Sequence, residues 1–93
     1  MDILRRIPVA HIDIYYKDWC PYCHRAFALL DQKGVAYNAI DVDGKPDLQA
    51  EMAKKAGRIT VPQIFADGKP LGGYDDLAAL EARGELDTEL DLA

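Results

Sequence analysis

The sequence has 93 residues, 49% of them apolar and 29% charged, with a formal net charge of −5. This suits one soluble domain with a single modest core, burying roughly two-thirds of the surface its unfolded chain exposes. It argues against nucleic acid as a partner, because phosphate binding needs a basic patch. It argues equally against a membrane, because the longest uncharged run, Ile59 to Ala66, is far short of the ~20 apolar residues of a spanning helix.

The chain reads as one domain over residues 1–93, with an N-terminal extension at 1–8 and an acidic tail at 85–93. Met1 to Pro8 carries Arg5 and Arg6, but no apolar stretch follows, so it is not a secretory signal and the expected location is the cytoplasm. His11 to Tyr16 reads as a strand, with Ile12, Ile14 and Tyr16 on one face. After a short loop, Lys17 to Trp19, Pro21 suits the first turn of a helix, where its missing N–H leaves no hydrogen bond unmade. Cys23, Ala26, Phe27 and Leu30 follow at i, i+3, i+4 and i+7 as one buried face, and Gly34 is a stop.

Val35 to Val42 is β-rich and reads as a second strand. Pro46 opens a second helix carrying Leu48, Met52 and Ala56, closed by Gly57. Val61 to Ala66 is a third strand, and Asp67-Gly68 is a strong two-residue hairpin turn, leading into a fourth at Lys69 to Leu71. Pro70 places that strand at a sheet edge. Gly72 and Gly73 form a tight bend, and Asp75 is the expected N-cap of a last helix carrying Leu77 and Leu80 and ending near Gly84. In the acidic tail, Leu86 and Leu90 can dock back onto the domain. The order predicts an α/β fold. A right-handed parallel crossover and an antiparallel hairpin make a four-stranded mixed sheet flanked by three helices.

Two cysteines without an export signal, spaced Cys-x-x-Cys, indicate redox or metal chemistry more than a structural staple. Both lie where the first strand meets the first helix, at the carboxyl end of a strand, where open α/β sheets place their sites. Thiol exchange needs a thiolate. Cys20 precedes a helix, whose unpaired N–H groups and positive dipole end favour an anion, and Lys17 adds a positive charge within reach. Cys20 is therefore expected to have a lowered pKa and to be the nucleophile. Cys23, one turn into the helix on its apolar side, is disfavoured as a thiolate by burial and is placed to resolve a mixed disulfide on Cys20. A structural zinc usually wants four ligands; only His11 and His24 could add nitrogens, and His24 points elsewhere on the helix, so no metal is expected.

Three segments in this order and spacing resemble the glutaredoxins, most closely the short bacterial dithiol class: Lys17-Asp18-Trp19-Cys20-Pro21-Tyr22-Cys23, Thr60-Val61-Pro62-Gln63-Ile64-Phe65 and Gly72-Gly73-Tyr74-Asp75-Asp76-Leu77. The similarity spans about His11 to Gly84. It implies the thioredoxin fold and a glutathione-dependent thiol–disulfide oxidoreductase. Cys20 would attack protein disulfides or glutathione mixed disulfides, Cys23 would resolve them, and glutathione, as co-substrate, would regenerate the dithiol.

The resemblance also implies a cis Val61–Pro62 bond, turning the Val61 backbone toward Cys20 so that glutathione pairs with Val61 like an added strand. Thr60, Val61 and Pro62, with Gly73, Tyr74, Asp75 and Asp76, would bind it. Its γ-glutamyl carboxylate would meet backbone N–H groups at the last helix start, and its amine Asp76 or Asp75. Lys17 would meet the glycyl carboxylate, with Arg58 a weaker candidate, and Tyr22 would pack beside the peptide. Glutathionylated or disulfide-bearing proteins are the implied partners of a monomer. Trp19 departs from the pattern, since the dithiol class more often has a smaller residue there. Two alternatives stand beside this one. One is a dimeric carrier of a glutathione-ligated [2Fe–2S] cluster, which Pro21 argues against. The other is a redoxin fed by thioredoxin reductase, which would not need the Gly73 to Asp76 site.

Overall fold

The first strand, β1 (Ile12–Tyr16), alternates its side chains so that Ile12 and Ile14 are buried on one face and Tyr15 on the other. A sheet buried on both faces needs helices on both, and the chain supplies them. A computed structural model describes residues 10–92; the expected N-terminal extension at 1–8 lies outside the described residues. The remaining elements are α1 (Pro21–Gln32), β2 (Asn38–Asp41), α2 (Pro46–Ala56), β3 (Gln63–Ala66), β4 (Lys69–Gly72), α3 (Tyr74–Ala82) and a short α4 (Leu86–Glu89).

The strand order is β2-β1-β3-β4, with β1 and β2 parallel and the other pairs antiparallel. This is the predicted mixed sheet. Asp67 and Gly68 both take positive φ (51° and 82°), the combination a two-residue turn of the strand-matching type requires. β4, with Pro70, is an edge strand as expected. On one face Ile12, Ile14 and Ile64 meet Ala26 and Leu30 of α1, Leu77 of α3, and Leu86 and Leu90 of the tail. On the other face Tyr15 and Phe65, ring centroids 5.5 Å apart, pack with Val42 and with Met52 of α2.

Several ends shift by one residue from expectation, and four larger differences each have a local reason. β2 starts at Asn38 rather than Val35, because the Val35 N–H is spent on the Leu30 carbonyl (3.4 Å) as the chain leaves α1. β3 starts at Gln63 rather than Val61, since Pro62 has no N–H to give a ladder. The N-cap of α3 is Gly73, not Asp75; the carboxylate that reaches back to the cap is that of Asp76, which accepts the Gly73 N–H at 3.0 Å. The tail forms α4, with Leu86 and Leu90 fully buried, and its Leu90 carbonyl accepts the Ala10 N–H (3.1 Å).

Candidate functional site

Cys20 is the N-cap of α1, in extended conformation (φ −88°, ψ 117°), with Pro21 as the first helical residue. The Lys17-to-Cys20 turn, closed by the Cys20 N–H on the Lys17 carbonyl at 3.1 Å, delivers its sulfur to the helix start. Its side chain makes no capping bond, so the first-turn N–H groups remain a source of positive potential there. Cys23 lies one turn on, fully buried with Ala26 and Leu30 along the apolar stripe of α1. Both thiols are free. The Cys23 thiol is pushed up to about 12, by burial foremost, against a hydrogen bond with the Lys17 backbone that lowers it and with a smaller rise from the adjacent Cys20 thiol.

Cys20 faces the loop before β3. Its thiol reaches the Val61 carbonyl at 3.8 Å, across a cis Val61–Pro62 bond. The loop is held from beneath by Gln63, whose buried amide donates to the Thr60 carbonyl (3.0 Å) and hydroxyl (3.2 Å). Beside it, Gly72 takes φ +100°, and a Cβ there would run into the Asp76 carboxylate. Only glycine therefore lets the chain pass this close to α3.

A cavity of about 270 Å³ results, lined by Tyr22, Arg58, Thr60, Val61, Pro62, Gly73, Tyr74, Asp75 and Asp76. That is near the lower end of small-molecule sites. A larger depression, about 510 Å³, lies at the opposite end of β1 against His11 and Asp67; size would choose it, but the thiols are at the other end. In the smaller cavity the Arg58 guanidinium donates to Asp76 Oδ2 at 2.7 Å. Arg58 first, and the Gly73 N–H second, hold the Asp76 carboxyl below the usual carboxylate range.

Eight of the expected glutathione-binding residues, and Arg58, the weaker candidate, thus line one cavity, next to the cysteine that was expected to react. Lys17 does not line it. Its ammonium sits over the Trp19 ring, 5.6 Å from the centroid. Asp75 is exposed at the cavity edge. His24 is turned to the Asp18 carbonyl and His11 to Asp13, and among the described residues no group of three or more His, Cys, Asp or Glu side chains stands together to hold a metal ion. No role was foreseen for Gln63. The available signal was one polar residue inside the otherwise apolar run from Val61 to Ala66.

The glutaredoxin family model matches residues 12–71, which include both cysteines and Val61–Pro62. The chain belongs to the glutaredoxin family. It is 54% identical over 79 residues to glutaredoxin 3 of Escherichia coli strain K12, covering 85% of this chain and 95% of that one. Among solved structures it is similar to glutaredoxin from Brucella melitensis (48% identity, TM-score 0.79, 89% of this chain and 90% of that one). It is also similar to a buckwheat glutaredoxin–glutathione complex (32% identity, TM-score 0.80, 90% and 83%). Its fold is accordingly the thioredoxin fold, and glutaredoxins are thiol–disulfide oxidoreductases. Both cysteines of this glutaredoxin lie just beyond the carboxyl end of β1, where open α/β sheets place their sites. Among the described residues no helix is long and apolar enough to cross a membrane.

Proposed function

We propose that this glutaredoxin reduces glutathione mixed disulfides and protein disulfides with glutathione as electron donor, through a Cys20/Cys23 dithiol. The observation that carries this is the placement of the Cys20 sulfur 3.8 Å from the Val61 carbonyl, beside a cavity of tripeptide scale. The helix start favours negative charge on that sulfur. Cys20 as thiolate attacks a substrate sulfur; the new S–S bond forms as the old one breaks, and the leaving thiolate takes a proton from water. From a glutathionylated protein this leaves Cys20 joined to glutathione. A second glutathione thiolate then attacks the glutathione sulfur, releasing glutathione disulfide and the Cys20 thiolate. From a protein disulfide it leaves Cys20 joined to the protein. Cys23 gives up its proton, attacks the Cys20 sulfur and frees the second substrate thiol. Two glutathiones, oxidised to one disulfide, restore the dithiol.

Glutathione binding follows from the cavity's chemistry. An extended peptide along Val61 exchanges backbone hydrogen bonds as an added strand does. Its γ-glutamyl carboxylate meets first-turn N–H groups of α3, and its amine meets Asp76 or Asp75. Tyr22 flanks the ligand, and Lys17 or Arg58 answers the glycyl carboxylate. Arg58 lines the cavity and Lys17 does not, so Arg58 is the better placed of the two. The complex of the buckwheat relative with glutathione supports this reading. The partners on this reading are glutathione and glutathionylated or disulfide-bearing proteins, met by a monomer in the cytoplasm, where thiols are kept reduced.

The test is reduction of the mixed disulfide of glutathione and cysteamine, coupled to glutathione reductase and NADPH. Sustained NADPH consumption dependent on the protein is expected. Absence of turnover with both thiols confirmed reduced would overturn the proposal. A visible absorbance band after anaerobic reconstitution would then favour the [2Fe–2S] carrier, and turnover with thioredoxin reductase alone the other alternative.

A further inference from the structure

Three large apolar side chains stand exposed among the described residues: Trp19 (66%), Tyr22 (50%) and Ile59 (83%). Each lies within two residues along the chain of Cys20 or of Val61, whose backbone faces it. Tyr22 lines the cavity, but Trp19 and Ile59 do not. Trp19 is also tethered. Its indole N–H donates to Asp43 Oδ2 at 3.0 Å, and the Lys17 ammonium lies over the ring. Asp43 is itself fixed by the loop, its N–H bonded to Asp41 Oδ1 at 2.9 Å. An exposed tryptophan already tethered before any ligand arrives has less side-chain entropy to lose on binding, and tryptophan is enriched among interface hot spots. Beside it along the chain and in the loop that holds it, Asp18, Asp41 and Asp43 stand against Lys17 and Lys45, in a chain of net charge −5. Cys20 is only 7% exposed, so the residues flanking a protein disulfide meet this rim as the disulfide approaches the sulfur.

We propose that Trp19, held by Asp43, is a docking platform for protein disulfides whose reacting cysteine is flanked by an apolar and a basic residue, separate from the cavity that takes glutathione. This rests on the dithiol reaction proposed above. In that step Cys20 exchanges into the peptide disulfide, Cys23 resolves it, and two electrons pass from the dithiol to the peptide. The substrate segment beside its cysteine lies on the indole, and its cation answers the aspartates. Trp19 touches the substrate, whereas Asp43 is a positioning residue.

The experiment uses two synthetic peptides with an internal disulfide, one carrying Phe and Lys beside its cysteines and the other Gly and Glu, each reduced in single turnover by pre-reduced protein. Trp19→Ala should slow the Phe/Lys peptide about thirtyfold at limiting concentration, the scale of an interface hot spot, and change the Gly/Glu peptide less than about twofold, the scale of a peripheral contact. Turnover of the glutathione–cysteamine disulfide should likewise stay within about twofold of wild type. Asp43→Ala should weaken saturation by the Phe/Lys peptide without changing its maximal rate. Trp19 is the only tryptophan, so trapping the Phe/Lys peptide on Cys20 in Cys23→Ser should shift its emission to the blue. Equal slowing of both peptides by Trp19→Ala, or no slowing of either, would overturn the platform. The peptide arm needs no glutathione, so failure of the small-disulfide assay alone would count against the glutathione reaction and leave the platform standing.

Discussion

At the scale of single residues, the two cysteines differ through where α1 puts them. One is the cap of the helix and the other is a buried residue one turn inside it. Cys23 is expected to remain a thiol through neutral pH. In Cys20→Ser, thiolate absorbance near 240 nm should stay absent at pH 8, below the ordinary tyrosine range, because burial is the main cause of the shift. A thiolate signal at pH 8 would contradict this. The division between cap and stripe was legible in the Cys-Pro-x-Cys spacing, as was the use of Gly72 for a bend. What the sequence did not carry was side-chain direction. Lys17 turns to Trp19 rather than to the cavity, and Arg58 finds Asp76 eighteen positions away. Nothing local distinguishes either choice from a solvated surface charge. Gly72→Ala should destabilise the protein by about 1–3 kcal/mol in urea denaturation, since a strained left-handed backbone is joined there by a collision with Asp76. An unchanged midpoint would mean that the α3 start is free to move.

At the scale of elements, strand and helix cores followed from periodicity and turn chemistry. Boundaries moved where a competing hydrogen bond won, as at Val35 and at the start of α3. The tail was the least legible part. Glu85 to Leu90 has only two large apolar residues, and its short helix exists because Leu86 and Leu90 complete the core. Leu86→Ala should therefore cost about 2–5 kcal/mol of stability, as for other fully buried leucines, measured by urea denaturation. A change within ~0.5 kcal/mol, typical of surface positions, would show that the tail contributes nothing to the fold. Lys33 adds a second tie, bridging Asp87 of α4 at 2.7 Å and Glu81 of α3 at 2.6 Å. Asp87 first and Glu81 second raise the Lys33 pKa. A cation whose folded pKa is raised stabilises fully below its ordinary value, and the stabilisation fades as pH climbs through the raised one. Lys33→Met should thus melt below wild type at pH 7, and the gap should narrow above about pH 10.5, the ordinary lysine value. A gap independent of pH would assign the loss to packing rather than charge.

At the scale of the whole molecule, the mixed sheet was legible and its strand order was not. One β-α-β crossover and one Asp-Gly turn leave β3 free to lie beside β1 or beside β2 with β4 at the edge, and the observed order is β2-β1-β3-β4. That order sets β1 beside β3, so the start of α1 and the Val61–Pro62 loop meet at one end of the sheet. Residues forty-one positions apart are thereby brought within one sulfur contact. On the proposed mechanism the first cysteine does the exchange and the second only resolves. The most direct test is the glutathione–cysteamine assay run side by side on Cys20→Ser and Cys23→Ser. Cys20→Ser should be inactive, whereas Cys23→Ser should keep roughly a tenth or more of wild-type turnover while losing the reduction of internal peptide disulfides, which need a second thiol. Turnover surviving in Cys20→Ser and lost in Cys23→Ser would contradict the assignment and reverse the roles of the two sulfurs.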